Sequence, residues 1–144
     1  MNIAGVAQYL KKLQTDIVNT IQLIDGKEFV QDSWQRPEGG DGLSCMLEEG
    51  HVFERAGVGY SNVSGQQLPP SASIAHPQVA GRLWDAMGVS LVLHPRNPYI
   101  PTVHLNVRFF IAHPKLANEQ AIWWIGGGMD LTPYYPFVED VVHF

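Results

Sequence analysis

Val103-His104-Leu105-Asn106-Val107-Arg108-Phe109-Phe110-Ile111-Ala112 is the stretch whose reading decides the fold. Side chains alternate across a β-strand, so residues two apart share a face. One face of this segment carries Val103, Leu105, Val107, Phe109 and Ile111, and belongs to a core. The other carries His104, Asn106 and Arg108. At roughly 3.3 Å of rise per residue, neighbours on that face stand about 7 Å apart, and His104 and Arg108 about 13 Å apart. An imidazole, an amide and a guanidinium are thus held in line on a rigid element.

The segment before it, Ala86 to His94, alternates in the same way: Met87, Val89, Leu91 and Leu93 on one face, Gly88, Ser90, Val92 and His94 on the other. Pro95, Pro98 and Pro101 in the connection stiffen it and keep it out of a sheet. If the two strands pair, Ser90, His94, His104, Asn106 and Arg108 look out of one sheet face. Such a face is either a solvated side of an antiparallel sheet or the floor of a wide anion-binding pocket. The lack of Lys and Glu there favours the pocket.

A third strand is expected over Gln120 to Ile125, followed by Gly126-Gly127-Gly128-Met129-Asp130-Leu131-Thr132-Pro133. Three glycines after a strand let a backbone approach a ligand and can aim amide N–H groups at an anion. The run lacks the Lys-Ser or Lys-Thr of a phosphate loop and the glycine spacing of a dinucleotide site. Asp130 reads either as a base or ionic partner, or as a turn cap; spacing alone favours the cap. His94, His104 and Asp130 together would make a two-histidine, one-carboxylate metal centre, though nothing in their spacing is specific to one.

Upstream, Ile3, Val6, Leu10, Leu13, Ile17, Ile21 and Ile24 recur at helical spacing, with Lys11, Lys12, Gln14 and Asp16 off the stripe. This predicts one amphipathic helix ending at Asp25-Gly26. From residue 28 the pattern turns to short extended segments, with a loop expected at residues 39–42, one or two strands over 51–63 and irregular chain over 66–82. Pro136, Glu139 and Asp140 mark a helix start near the carboxyl end.

A chain of 144 residues with 45% hydrophobic and 16% charged residues fits one globular domain, residues 1–144, and excludes disorder. No apolar run reaches the roughly 20 residues of a membrane helix, and the amino terminus does not resemble a secretory signal. A lone Cys45 permits no intrachain disulfide, so a reducing cytoplasmic setting is expected. The net charge of −5 argues against nucleic-acid binding but leaves room for an anionic small molecule held by a few local cations.

Several blocks in fixed order resemble the oxygen-dependent coproporphyrinogen III oxidases. They are Asp32-Ser33-Trp34-Gln35-Arg36, the run from Val52 to Val58, the run from Met87 to Tyr99, Asn106-Val107-Arg108-Phe109-Phe110, and the run from Trp123 to Tyr135. The resemblance implies an α+β fold, a large antiparallel sheet flanked by helices, with a tetrapyrrole in a cleft and a homodimeric enzyme. It implies O2-dependent oxidative decarboxylation of coproporphyrinogen III to protoporphyrinogen IX, with O2 as co-substrate and no cofactor required for the chemistry. Asp130 resembles the carboxylate that engages the pyrrole N–H groups, Arg108 the arginine that holds a propionate, and His104 a proton donor. Ser90, Asn106, Val107 and Arg108 match substrate-contacting positions. His94 and His104 also match two of four histidines assigned to a divalent metal. Family members are about twice as long, so the resemblance further implies the amino-terminal half of such an enzyme, inactive by itself. Asp41 interrupts a glycine run, and Cys45 stands where the family often has Arg.

Overall fold

A computed structural model describes residues 1–68 and 76–144. The chain begins with helix α1, Ile3–Asp25. Six strands follow: β1 Val30–Gln35, β2 Gly40–Glu48, β3 Phe53–Gly65, β4 Trp84–Pro95, β5 Thr102–Ala112 and β6 Ile122–Thr132. A 3₁₀ turn at Pro77–Val79 precedes β4, and a short helix α2, Val138–His143, closes the chain. The strands form one antiparallel sheet in sequence order, each pairing with the next. The expected α+β architecture is therefore present.

Asn2 starts α1 by accepting the Gly5 amide through its side chain, and Gly26 ends it in the left-handed conformation that glycine adopts without penalty. The buried line of the helix is Leu10, Gln14, Val18, Ile21 and Asp25, spaced for one face. It lies on the apolar face of the sheet, where Cys45, Leu47, Val58, Met87, Val89 and Phe109 complete the core. Burial raises the Cys45 thiol above its ordinary value, as suits a packing residue. Two polar residues belong to this core. Gln14, expected on the solvated side, is 2% exposed because its amide donates to the Leu43 and Val58 carbonyls. Asp25 is 3% exposed and accepts the amides of His51, Val52 and Phe53, tying the helix end to the β2–β3 loop. Burial alone would raise the Asp25 carboxyl, but those three amides outweigh it and hold it below the usual carboxylate range.

Three expectations need correction. The glycine run is not a loop: β6 continues through Gly126, Gly127 and Gly128 to Thr132, opposite β5 throughout. The amides of the run that face β5 are therefore ladder positions, and the alternate ones point outward in the plane of the sheet edge instead of converging as an anion cradle. Gly40 and Gly42 belong to β2, and the tight turn falls earlier, at Arg36–Gly40. Pro95 closes β4 opposite Phe53 instead of standing outside the sheet. The irregular segment expected over 66–82 falls partly outside the described residues, and its described end forms the Pro77–Val79 turn. Among the described residues no helix is long and apolar enough to cross a membrane.

Candidate active site

Strand pairing converts the alternation of β5 into a surface. Cross-strand partners share a face, so the register lays out three rows on the side opposite α1. One row runs Gly42, Ser61, Gly88, Arg108, Gly126; the next runs Ser44, Gly59, Ser90, Asn106, Gly128; the third runs Met46, Gly57, Val92, His104, Asp130. Ser90, His104, Asn106 and Arg108 therefore do share one face, as the sequence suggested, and Asp130 joins them from β6. His94 sits one position beyond Val92 in the same alternation. Val107 stands on the other side, its side chain packed against the core under α1, so only its main chain is available to the polar face.

The row nearest the β4–β5 connection holds an imidazole–carboxylate pair. His104 and Asp130 are cross-strand partners, with Nδ1 2.8 Å from Oδ1. The Thr132 hydroxyl donates to the same oxygen at 3.3 Å. When Asp130 is ionised it only accepts, so the Nδ1–H of His104 donates to it and Nε2 is left for a ligand. The other carboxylate oxygen, Oδ2, has no partner among the described residues. Both side chains are open to solvent, at 46% for His104 and 62% for Asp130.

Arg108 closes the opposite end of the face and has no hydrogen-bond or ion-pair partner among the described residues, so its guanidinium is available to an anion. Beyond it stands an aromatic wall: Phe110 stacks on Trp124 with centroids 4.2 Å apart, and His76 lies 5.2 Å from Trp124. Val79, Trp84 and Ala112 pack into this second cluster. Trp124 thus bounds the site; its place on the face follows from the β6 register and could not be read without it.

Two of the hollows on the face adjoin. One of about 550 Å³ is lined by Gly59, Ser90, Asn106, His104, Gly128 and Asp130 among others. The other, of about 330 Å³, is lined by Arg108, Trp124, Asn106 and the three glycines of β6. Asn106 and Gly128 border both, so the hollows adjoin. Their sizes are those of small-molecule sites.

A metal centre is less well provided for. The His94 and His104 rings meet edge to face with centroids 6.5 Å apart, and His94 Nδ1 is engaged by the Thr102 hydroxyl at 3.2 Å. Among the described residues no group of three or more His, Cys, Asp or Glu side chains is placed to hold a metal ion. The set His94, His104 and Asp130 is not gathered as a centre among the described residues; Asp130 meets His104 as a hydrogen-bond partner.

The fold and face define a small-molecule site on an antiparallel sheet, with a cation at one end and an imidazole–carboxylate pair at the other. The chain belongs to the coproporphyrinogen III oxidase family, whose family model matches residues 5–144. Membership places it in porphyrin biosynthesis, within a family of oxidoreductases acting on coproporphyrinogen.

Proposed function

We propose that the polar face binds coproporphyrinogen III and serves its O2-dependent oxidative decarboxylation to protoporphyrinogen IX. The observation that carries this reading is the spacing of the two ends: Arg108 and the His104–Asp130 pair stand two rows apart on one face, about 13 Å along the strands. A tetrapyrrole with propionates on its rim and N–H groups at its centre needs cation and acceptor separated over such a distance. Arg108 pairs with a propionate through two parallel N–H···O bonds, a geometry a guanidinium provides and an ammonium does not. Asp130 Oδ2 accepts a pyrrole N–H, and His104 holds Asp130 through Oδ1 and offers Nε2 for proton transfer. Ser90 and Asn106 supply neutral hydrogen bonds between the two ends.

Two of the propionates, –CH2–CH2–COO⁻, are converted, and each of these loses its carboxylate as CO2 and a hydrogen from the carbon next to the ring. A vinyl group forms and two electrons pass to O2, which with two protons leaves as H2O2. Withdrawal of a pyrrole proton toward Asp130 makes the ring electron-rich enough for O2 to take those electrons without flavin or metal. A cytoplasmic location and a homodimer belong to the same proposal.

The exposure of His104 and Asp130 favours one other reading, a face that binds tetrapyrroles without turning them over, since catalytic groups act best when shielded from water. The test is anaerobic equilibration with coproporphyrinogen III, admission of O2, and chromatography of the products, with and without chelator. Vinyl-bearing product that requires O2 and survives chelation supports the proposal. Product formed without O2 overturns it, and saturable binding with no product, both by this chain alone and with the carboxyl-terminal half of a family enzyme supplied, selects the binding-only reading.

A further inference from the structure

Glycine inside a strand weakens it by roughly 0.5–1 kcal/mol relative to alanine, and its usual reasons are a positive φ, a bulge, or a close approach of something to the backbone. Gly88 and Gly127 have the last reason within the fold: a Cβ on Gly88 would meet the Val107 carbonyl, and one on Gly127 the Asn106 carbonyl. Gly59, Gly126 and Gly128 have none of these reasons. Their φ values are not positive, and the pairings of β3 with β4 and of β5 with β6 run through them without a register shift. A Cβ built on Gly126 or Gly128 meets nothing within 4 Å, and one on Gly59 touches only the Ser90 hydroxyl, at 3.9 Å. The fold would accept alanine at all three positions and gain from it.

All three point to the polar face, and they flank its centre. Gly59 and Gly128 end the stretch Gly59, Ser90, Asn106, Gly128, three strand spacings or roughly 14 Å across, and both line the larger hollow. Gly126 lies beside Arg108 in the smaller one. Absence of a side chain lowers the floor by one C–C bond, about 1.5 Å, on both sides of Ser90 and Asn106. In-plane N–H and C=O groups lie along the sheet, used by the ladders on both sides at Gly59 and on the β5 side at β6, so what the floor offers upward is the face of the peptide units.

We propose that Gly59, Gly126 and Gly128 are specificity-determining positions, which let the broad face of a macrocycle lie against the backbone of β3 and β6 while its rim reaches Arg108 and Asp130. This rests on the tetrapyrrole reading above. The cleft itself is carried by its polar groups and volume, and the glycines set what shape can enter it. A single Cβ on this floor lifts one side of a broad ring away from the sheet and separates it from the groups at either end.

The experiment uses the chain as it is, with coproporphyrin III, the stable oxidised form of the substrate, as probe. Binding is followed by quenching of porphyrin fluorescence, and thermal midpoints are measured on the same samples for Gly128→Ala, Gly126→Ala and Gly59→Ala. At least tenfold weaker binding with an unchanged or raised midpoint is the expected result. Binding within twofold of the parent chain overturns the inference while leaving the tetrapyrrole reading intact. Weaker binding with a lowered midpoint also overturns it, because the glycines then serve the fold. No saturable binding by the parent chain sinks the tetrapyrrole reading itself, and this inference with it. Two strands are sampled, so a variant that fails to fold on one leaves the test standing on the other.

Discussion

His104 Nδ1 and Asp130 Oδ1 meet at 2.8 Å across the β5–β6 pair, although 26 residues separate them in the chain. The contact follows from register: each is the other's direct partner, and Thr132, two residues on, donates to the same oxygen. One carboxylate oxygen is thereby fixed and the other left for a ligand. Asp130→Asn preserves the shape and a hydrogen bond to His104 but removes the proton acceptor. In a full-length context, turnover of coproporphyrinogen III is expected to fall by about 10²–10⁴-fold, the usual range for general acid–base catalysis. Coproporphyrin III affinity should stay within about threefold. An affinity loss as large as the rate loss would assign Asp130 to binding instead.

Arg108→Lys tests the other end of the face. Lysine keeps the charge but not the planar fork, so if Arg108 grips a propionate with two parallel bonds the substitution is not conservative. Loss of a charge-assisted pair costs about 1.5–3 kcal/mol, or roughly 10- to 150-fold in affinity. Arg108→Gln should weaken coproporphyrin III at least as much, and should also flatten its dependence on salt. Equal affinities for the parent and both variants, measured by titration at two ionic strengths, would remove Arg108 from the site.

Asp25 makes acid stability a specific prediction. Its folded carboxyl is held below the usual value by the amides of Phe53, Val52 and His51 against the opposing effect of burial. A lowered folded value means that the stabilisation is fully present above the unfolded value of about 3.9 and is lost as pH falls through the folded one. The parent chain should therefore lose stability on that limb. Asp25→Asn, which does not titrate, should be less stable at neutral pH and show a flatter acid limb. Urea melts at pH 7 and across pH 2–4 check this, and parallel curves for the two proteins would refute it.

How much of this was legible in the sequence depends on the kind of information required. Strict alternation in residues 103–112 gave the strand, its two faces and the shared side of His104, Asn106 and Arg108, because alternation is a local property. The end of α1 at Gly26 was equally local. The glycine run misled because three glycines weaken strand propensity, and only pairing with Asn106, Val107 and Arg108 makes them a strand. For Asp130 the residues alone favoured a turn cap over a base, and its partnership with His104 is a matter of register between distant segments. Trp124 escaped for the same reason: a tryptophan at a strand end reads as packing until the neighbouring strand places it beside Arg108 on the site side.

Gln14 shows the converse, a polar residue whose position on the helix wheel suggested solvent but whose partners lie in the sheet. Its amide nitrogen donates to the carbonyls of Leu43 on β2 and Val58 on β3, at 2.7 and 2.9 Å, in the middle of the contact between α1 and the sheet. Replacement by leucine keeps the volume but removes both donors. A buried polar group left without a partner costs about 1–3 kcal/mol, more than the extra apolar contact returns. Gln14→Leu should therefore lower stability by about 2–4 kcal/mol, and the midpoint by roughly 5–15 °C at the scale usual for a chain of this size. Gln14→Glu should be worse, since an ionised carboxylate facing two carbonyls is repelled by both and cannot donate. The order parent, Gln14→Leu, Gln14→Glu in thermal melts at neutral pH is the expected result. A leucine variant as stable as the parent would show that the two carbonyls find other donors, and that apolar packing alone holds α1 on the sheet.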